Sequence, residues 1–223
     1  TIVRPNQIVN SALSLLKFEP NLKILFSKHS SSEIKKTKIE IINEIAEKNI
    51  LLKLMKICPL PDLDLEQNLI QIRCNLLRSV YDKEYTRECL EFQSALSQQC
   101  YINEYIYIHS NNENIEIKKL EKIVKDLLSN NIQPKPQYLL CLSSYKALHD
   151  YDWYNLLEDN PIIDEIYNQQ VIEFNKEKEI KSNIEVLGHI SDDISCKVRN
   201  QYETNPYPRW VNLGLPNDGT SIS

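Results

Sequence analysis

The sequence predicts an all-α fold, an irregular multi-helix bundle of about nine helices ending in an extended, proline-rich C-terminal strap. Three observations predict it. Only 3 glycines occur in 223 residues, whereas sheet-rich folds need glycine at their turns. Apolar residues recur at i, i+3 and i+4 in one segment after another. Prolines fall between those segments, where a missing backbone donor and a fixed φ end one helix or open the next.

Taken in order, a short lead closes at Pro5, and Ile8, Ala12, Leu15 and Leu16 repeat at helical spacing. Pro20 opens a short helix carrying Leu22, Leu25 and Phe26. His29 to Ser32 is a polar break, with Ser32 placed to cap the next helix. Glu33 to Cys58 reads as one long helix with Ile34, Ile41, Ile45, Leu52 and Met55 inward, stopped by Pro59 and Pro61. Asp62 or Asp64 caps the helix after it, whose stripe is Leu65, Leu69, Ile72, Leu76 and Val80.

Tyr85 to His109 is expected to be helical. In its second half Gln99, Asn103 and Glu104 sit among large apolar residues and are expected to be buried and mutually hydrogen-bonded. After a polar turn at Ser110 to Asn114, the helix Ile115 to Asn130 turns Ile117, Leu120, Val124 and Leu127 or Leu128 inward. Pro134 and Pro136 start a helix from Gln137 to Leu148, and a turn over Tyr151 to Leu157 holds Trp153. Pro161 opens a helix running to Glu185, with a charged half at Asn175 to Ser182 projecting into water. Beyond Gly188, Ser191 caps a last helix whose inner face is Ile194, Val198 and Tyr202, with Arg199 and Glu203 paired at i+4. The domain reading is a bundle over 1–190, or two subdomains meeting between Cys58 and Asp62. A capping helix with the strap covers 191–210, and a flexible tail covers 211–223.

Composition narrows the function. At 42% hydrophobic and 26% charged residues the chain has the makeup of a globular protein. With so few glycines, neither a dinucleotide loop nor a P-loop can be written. The net charge is −5, and basic runs such as Lys35-Lys36 and Lys118-Lys119 alternate with glutamates, so no nucleic-acid face is expected. No run of apolar residues is long enough for a membrane span and no leader is visible, so a cytoplasmic location is expected. The cysteines at 58, 74, 89, 100, 141 and 196 lack C-x-x-C spacing and read as reduced thiols. The four histidines are dispersed, and no metal site is expected. Cys100, Glu104 and His109 are neighbours in sequence, but their spacing does not make a nucleophile–base pair, so no catalytic residue is assigned.

The densest package of contact groups is Gln201 to Trp210. There Pro206 and Pro208 force an extended strap holding Tyr207, Arg209 and Trp210 at fixed spacing. These aromatics either bind the tail to its own helices or face a partner.

The run Ser195-x-x-Val198-Arg199-x-Gln201-Tyr202-Glu203-x-Asn205-Pro206-Tyr207-Pro208-Arg209-Trp210 resembles a signature of a bacterial family. Its members join tetratricopeptide repeats to a class I S-adenosylmethionine-dependent methyltransferase domain. Gln99-Cys100-Tyr101-Ile102-Asn103-Glu104-Tyr105 and Tyr145-Lys146-Ala147-Leu148-His149 resemble two upstream blocks of that family, in the same order. The resemblance implies that this chain corresponds to the helical linker region, with the strap leading toward a methyltransferase sheet. It departs from the family in having too few residues before residue 10 for repeats and after Trp210 for a βαβ unit.

By that resemblance Tyr202, Asn205, Tyr207 and Arg209 contact cofactor when a methyltransferase domain is supplied. Arg199, Gln201, Glu203 and Trp210 make interaction contacts. No cofactor is expected for the chain alone; full-length relatives use S-adenosylmethionine. The resemblance implies a non-catalytic substrate-recognition or regulatory segment, partnered by the methyltransferase domain. The second reading is a stand-alone protein-protein interaction module that docks another protein.

Overall fold

A computed structural model describes residues 5–27, 39–82, 84–184 and 192–204, except for the side chains of 5–7, 39–41 and 204. Among the described residues the fold is all-α, and no strand occurs. Helix α1 spans Pro5–Leu16 and leads into a 3-10 helix at Pro20–Phe26. Then come α2 (Ile39–Ala46), α3 (Asn49–Ile57), α4 (Leu63–Ser79), α5 (Arg87–Ile102), α6 (Asn111–Ser129) and α7 (Pro136–Ser143). Two short 3-10 turns, Leu148–Asp150 and Tyr154–Leu156, precede α8 (Asp164–Tyr167). Helix α8 runs through a π-helical turn at Asn168–Ile172 into α9 (Glu173–Asn183), and α10 spans Asp193–Thr204.

Two apolar cores hold the helices as far as the π-helical turn. The first is built from α1 to α5, with Leu22, Ile45, Met55, Leu65, Leu69 and Phe92 among its buried members. The turn at Pro59 and Pro61 lies within its span, because buried members fall on both sides of it. The second joins the end of α4 to α6, α7 and the 148–171 segment through Leu77, Val80, Leu120, Val124, Leu140 and Trp153. Helix α4 serves both because Leu65, Leu69 and Ile72 face the first core while Leu77 and Val80 face the second. The predicted α4 stripe is buried throughout, and Asp62 is its N-cap, accepting from the Leu65 amide at 2.9 Å.

Several predicted elements differ. In α1 the buried face is Val9, Leu13 and Leu16, while Ile8 and Leu15 are exposed. The expected long helix up to Cys58 is broken at Glu47 and Lys48. In one straight helix Leu51 and Leu54 would turn well away from Ile42 and Ala46, and the break lets both sets bury. The Ile34 position and Ser32 lie outside the described residues, as does the side chain of Ile41.

Helix α5 stops at Ile102 instead of running to His109. Glu104 and Tyr105 adopt left-handed φ of 60° and 56°, and the Tyr105 amide bonds the Cys100 carbonyl at 2.8 Å. Helix α6 begins at Asn111 because Ser110 and Glu113 form a capping box, so the expected polar turn is helical. Helix α7 ends at Ser143, where the Ser143 and Ser144 hydroxyls bond back to the Leu140 and Cys141 carbonyls and compete with the helix.

The last helix is capped by Asp192, whose Oδ2 accepts from the Ser195 amide at 2.8 Å; Ser191 lies outside the described residues. Its supposed inner face is on the surface. Ile194, Val198 and Tyr202 are 71%, 46% and 65% exposed.

Candidate functional site

The predicted site residues fall on α10 or beyond it. Arg199, Gln201, Tyr202 and Glu203 are exposed on α10, while Asn205, Tyr207, Arg209 and Trp210 lie outside the described residues. The structure joins two of the four. Arg199 Nε lies 3.6 Å from Glu203 Oε1, and Lys181 Nζ of α9 lies 3.4 Å from Glu203 Oε2. The first pair lies within α10 and the second joins α10 to α9; both are half-exposed and individually weak. Tyr202 lines neither of the two clefts described below.

The arm leaves the body at the π-helical turn. Gln170 is fully buried there, its Oε1 accepting from the Leu148 amide at 2.9 Å. His149 Nδ1 donates to the Gln170 carbonyl at 2.5 Å, and its ring stacks on Phe174 at 3.6 Å and 3°. Past this clasp, α9 buries no residue at all.

Inside the body lies Arg73, which sequence reasoning missed. Arg73 is 1% exposed. Its guanidinium donates to the carbonyls of Ser144 at 3.2 Å, Tyr107 at 3.1 Å and Ile108 at 3.0 Å, and lies 4.2 Å from the Tyr145 ring centroid. Tyr145 donates to Glu113 Oε1 at 3.0 Å, and Glu113 Oε2 accepts from the Ser110 amide at 2.8 Å. A buried cation and a buried carboxylate are thus bridged by a phenol, with both ends hydrogen-bonded. Arginine in a helix normally reads as surface. The available signal was apolar residues at Ile70 and Leu77, outside the main stripe, which mark α4 as covered on more than one side.

Gln99 and Asn103 are buried as expected, and backbone carbonyls are acceptors for both side chains. With each amide turned so that its nitrogen meets the acceptors, Gln99 donates to the Met55 and Cys58 carbonyls at 3.0 and 3.1 Å, and Asn103 to the Gln99 and Cys100 carbonyls at 3.3 and 2.7 Å. Glu104 is only half-buried. Burial pushes the Cys100 thiol up to about 11 although Arg73 pulls it down, and burial pushes Cys141 to about 12. Thiols so placed supply almost no thiolate at neutral pH, which removes Cys100 as a nucleophile.

The larger cavity is a cleft of about 800 Å³ between α3, α5 and the 161–165 segment. Leu52, Leu90 and Ile162 contribute its apolar surface, and Lys53, Lys56 and Arg87 its cations. Lys56 is ion-paired with Glu165, which also accepts from Gln98 Nε2 at 3.0 Å. Burial raises the Glu165 carboxyl, but these two partners outweigh it and hold the group below its ordinary value. Arg87 pairs with Glu91 at 2.9 Å along α5. A second cavity of about 230 Å³ lies beside Tyr145, between His109 and Tyr151. There Lys146 Nζ sits 3.8 Å over the Tyr151 ring.

Among the described residues no helix is long and apolar enough to cross a membrane, and no group of three or more His, Cys, Asp or Glu side chains is placed to hold a metal ion. No protein-family model, curated protein or solved structure matches the chain.

Proposed function

We propose that this chain is a non-catalytic helical docking segment and that α10 is the element that docks. The observation that carries the reading is the stripe Ile194, Val198 and Tyr202. These residues fall at i, i+4 and i+8 on one face of a 12-residue helix and are all exposed. A helix of that length is marginal in water without a surface to cover its apolar face. Burying the three side chains contributes about 1.5–3 kcal/mol each before ordering costs are subtracted. Arg199, Gln201 and Glu203 surround the stripe with the polar rim that protein interfaces use. The sequence resemblance supplies the partner, a class I methyltransferase domain of the kind that follows the strap in that family. On this reading S-adenosylmethionine belongs to the partner domain, and this chain helps to close over it.

The test is calorimetric. The chain is titrated first with S-adenosylmethionine and then with a separately expressed methyltransferase domain from a member of the resembling family. The first titration should give no heat. The second should give a complex that Val198→Asp or Tyr202→Asp weakens at least about tenfold, roughly 1.4 kcal/mol. Cofactor binding by the chain alone, or a complex indifferent to both substitutions, refutes the reading.

A further inference from the structure

We propose that the cleft between α3, α5 and the 161–165 segment binds a short acidic peptide segment of a partner protein, independently of α10. The cleft's volume of about 800 Å³ lies in the range of natural binding clefts. Its surface divides chemically. Leu52, Leu90 and Ile162 present an apolar wall, and Ile162 is 44% exposed and so open to contact. Such a wall accepts aliphatic side chains from an extended or helical segment.

Charge selects the sign of that segment. Three cations, Lys53, Lys56 and Arg87, line the cleft against two carboxylates, Glu91 and Glu165, giving a local excess of one positive charge. The whole chain carries −5, so the cleft opposes the overall sign. Lys56 and Arg87 are engaged with Glu165 and Glu91, which leaves the exposed Lys53 ammonium on α3 as the cation that offsets an incoming carboxylate. The N-terminus of α3 adds to this. It has no acidic residue in its first turn and its first residue, Asn49, lines the cleft; the Asn49 and Leu51 amides donate to the Glu47 and Lys48 carbonyls, so the contribution is that of the helix dipole alone. By contrast α5 is capped by Thr86 and carries Glu88 in its first turn. The apolar wall and the Lys53 ammonium suit a mixed acidic and aliphatic peptide, whereas the two lining carboxylates oppose a nucleic-acid backbone, which requires a basic face.

The probe is a fluorescein-labelled octapeptide of alternating leucine and glutamate, titrated by anisotropy into the full chain at ~0.05 M salt. Matched leucine–glutamine and leucine–lysine peptides are the comparison. The leucine–glutamate peptide should bind at least fivefold tighter than either. That preference should vanish in Lys53→Glu, weaken in Ile162→Asp and fall as salt rises to ~0.3 M. Lys53 and Ile162 are exposed, so both variants should keep the wild-type melting curve, and Tyr202→Asp should bind the probe like wild type. Equal affinity for the three peptides overturns the proposal, as does an unchanged Kd in Lys53→Glu. Displacement of the probe by millimolar inorganic phosphate, with no loss in Ile162→Asp, assigns the cleft to a free anion and also overturns it. Loss of probe binding in Tyr202→Asp places the peptide on α10 and overturns it too. A failure here leaves the α10 titration untouched, because the two experiments use different surfaces.

Discussion

Arg73→Met should destabilise this protein by about 3–5 kcal/mol, and the reason is what the guanidinium satisfies. Its three carbonyl acceptors belong to the α5–α6 connection, at Tyr107 and Ile108, and to the residue after α7, Ser144. Methionine fills much of the volume but donates nothing. A buried acceptor left without a donor costs about 1–3 kcal/mol. Two of the three bonds are buried and the Ile108 bond is partly so, which sets the lower part of the range. Loss of the cation over Tyr145 adds about 1 kcal/mol, and relief of the guanidinium's own desolvation subtracts from the sum. Arg73→Lys keeps the charge but not the fork, so it should fall between wild type and Met. The assay is urea unfolding at pH 7 followed by far-ultraviolet circular dichroism, with the midpoint compared at fixed m-value. Domains of this size are stable by only about 5–15 kcal/mol, so the shift will be large on that scale. If Arg73→Met is as stable as wild type, the buried cation is not what holds these segments, and the reasoning fails.

Three further outcomes are expected. His149→Ala removes a hydrogen bond to the Gln170 carbonyl and the stack on Phe174, so amides of 168–177 should exchange with deuterium faster while those of α4 keep their protection. Unchanged exchange in that segment would show that the π-helical turn does not depend on the clasp. In native protein at pH 8 a thiol reagent should modify the half-buried Cys196 quickly and the five buried cysteines only after unfolding, since burial holds Cys100 near 11 and Cys141 near 12. Fast labelling of two or more thiols in the native state would contradict this packing. Burial raises the Asp62 carboxyl, but Lys17 and the Leu65 amide outweigh it and hold the group below its ordinary value. Its contribution is therefore present above the ordinary carboxylate range and is lost as pH falls through the depressed folded value. Asp62→Asn, which keeps a good cap, should cost about 0.5–1 kcal/mol at pH 7, and the difference should close in acid. A gap that persists below the folded value would point to the cap geometry and not to the charge.

How much of the fold was legible depends on which forces are local. The α4 stripe and the Asp62 cap were readable because periodicity and capping chemistry lie within one segment. The early end of α5 was not. Glutamate and tyrosine have no preference for the left-handed region, and nothing in the local sequence puts Glu104 and Tyr105 there. Distant groups hold the turn. Tyr105 donates its hydroxyl to the Ser143 carbonyl at 3.1 Å, and Arg73 fixes the two carbonyls just beyond it. The break between α2 and α3 is likewise a tertiary effect, as no glycine or proline marks it. On α10 the apolar face was legible, but periodicity says only that such a face exists, not what covers it. The cleft was invisible because its walls come from Asn49 to Lys56, Arg87 to Ser94 and Pro161 to Glu165, three stretches far apart in sequence.

These features explain why the chain divides into a firm body and an arm. Tyr107 belongs to the first core and Tyr145 to the second, and the Arg73 guanidinium lies over both rings, at 5.7 and 4.2 Å. Any motion separating the cores must expose that cation's unpaired acceptors, which couples the two into one cooperative unit. Among the described residues no comparable anchor reaches past Phe174. Helix α9 buries nothing, and α10 meets it through the half-exposed Lys181 to Glu203 pair. Segments with so little burial open at low free energy. The body holds the arm's root through Gln170 and His149, and the proposed docking of α10 would leave that root undisturbed. On the proposed reading, the exposed stripe Ile194, Val198 and Tyr202 is the surface that α10 offers to its partner.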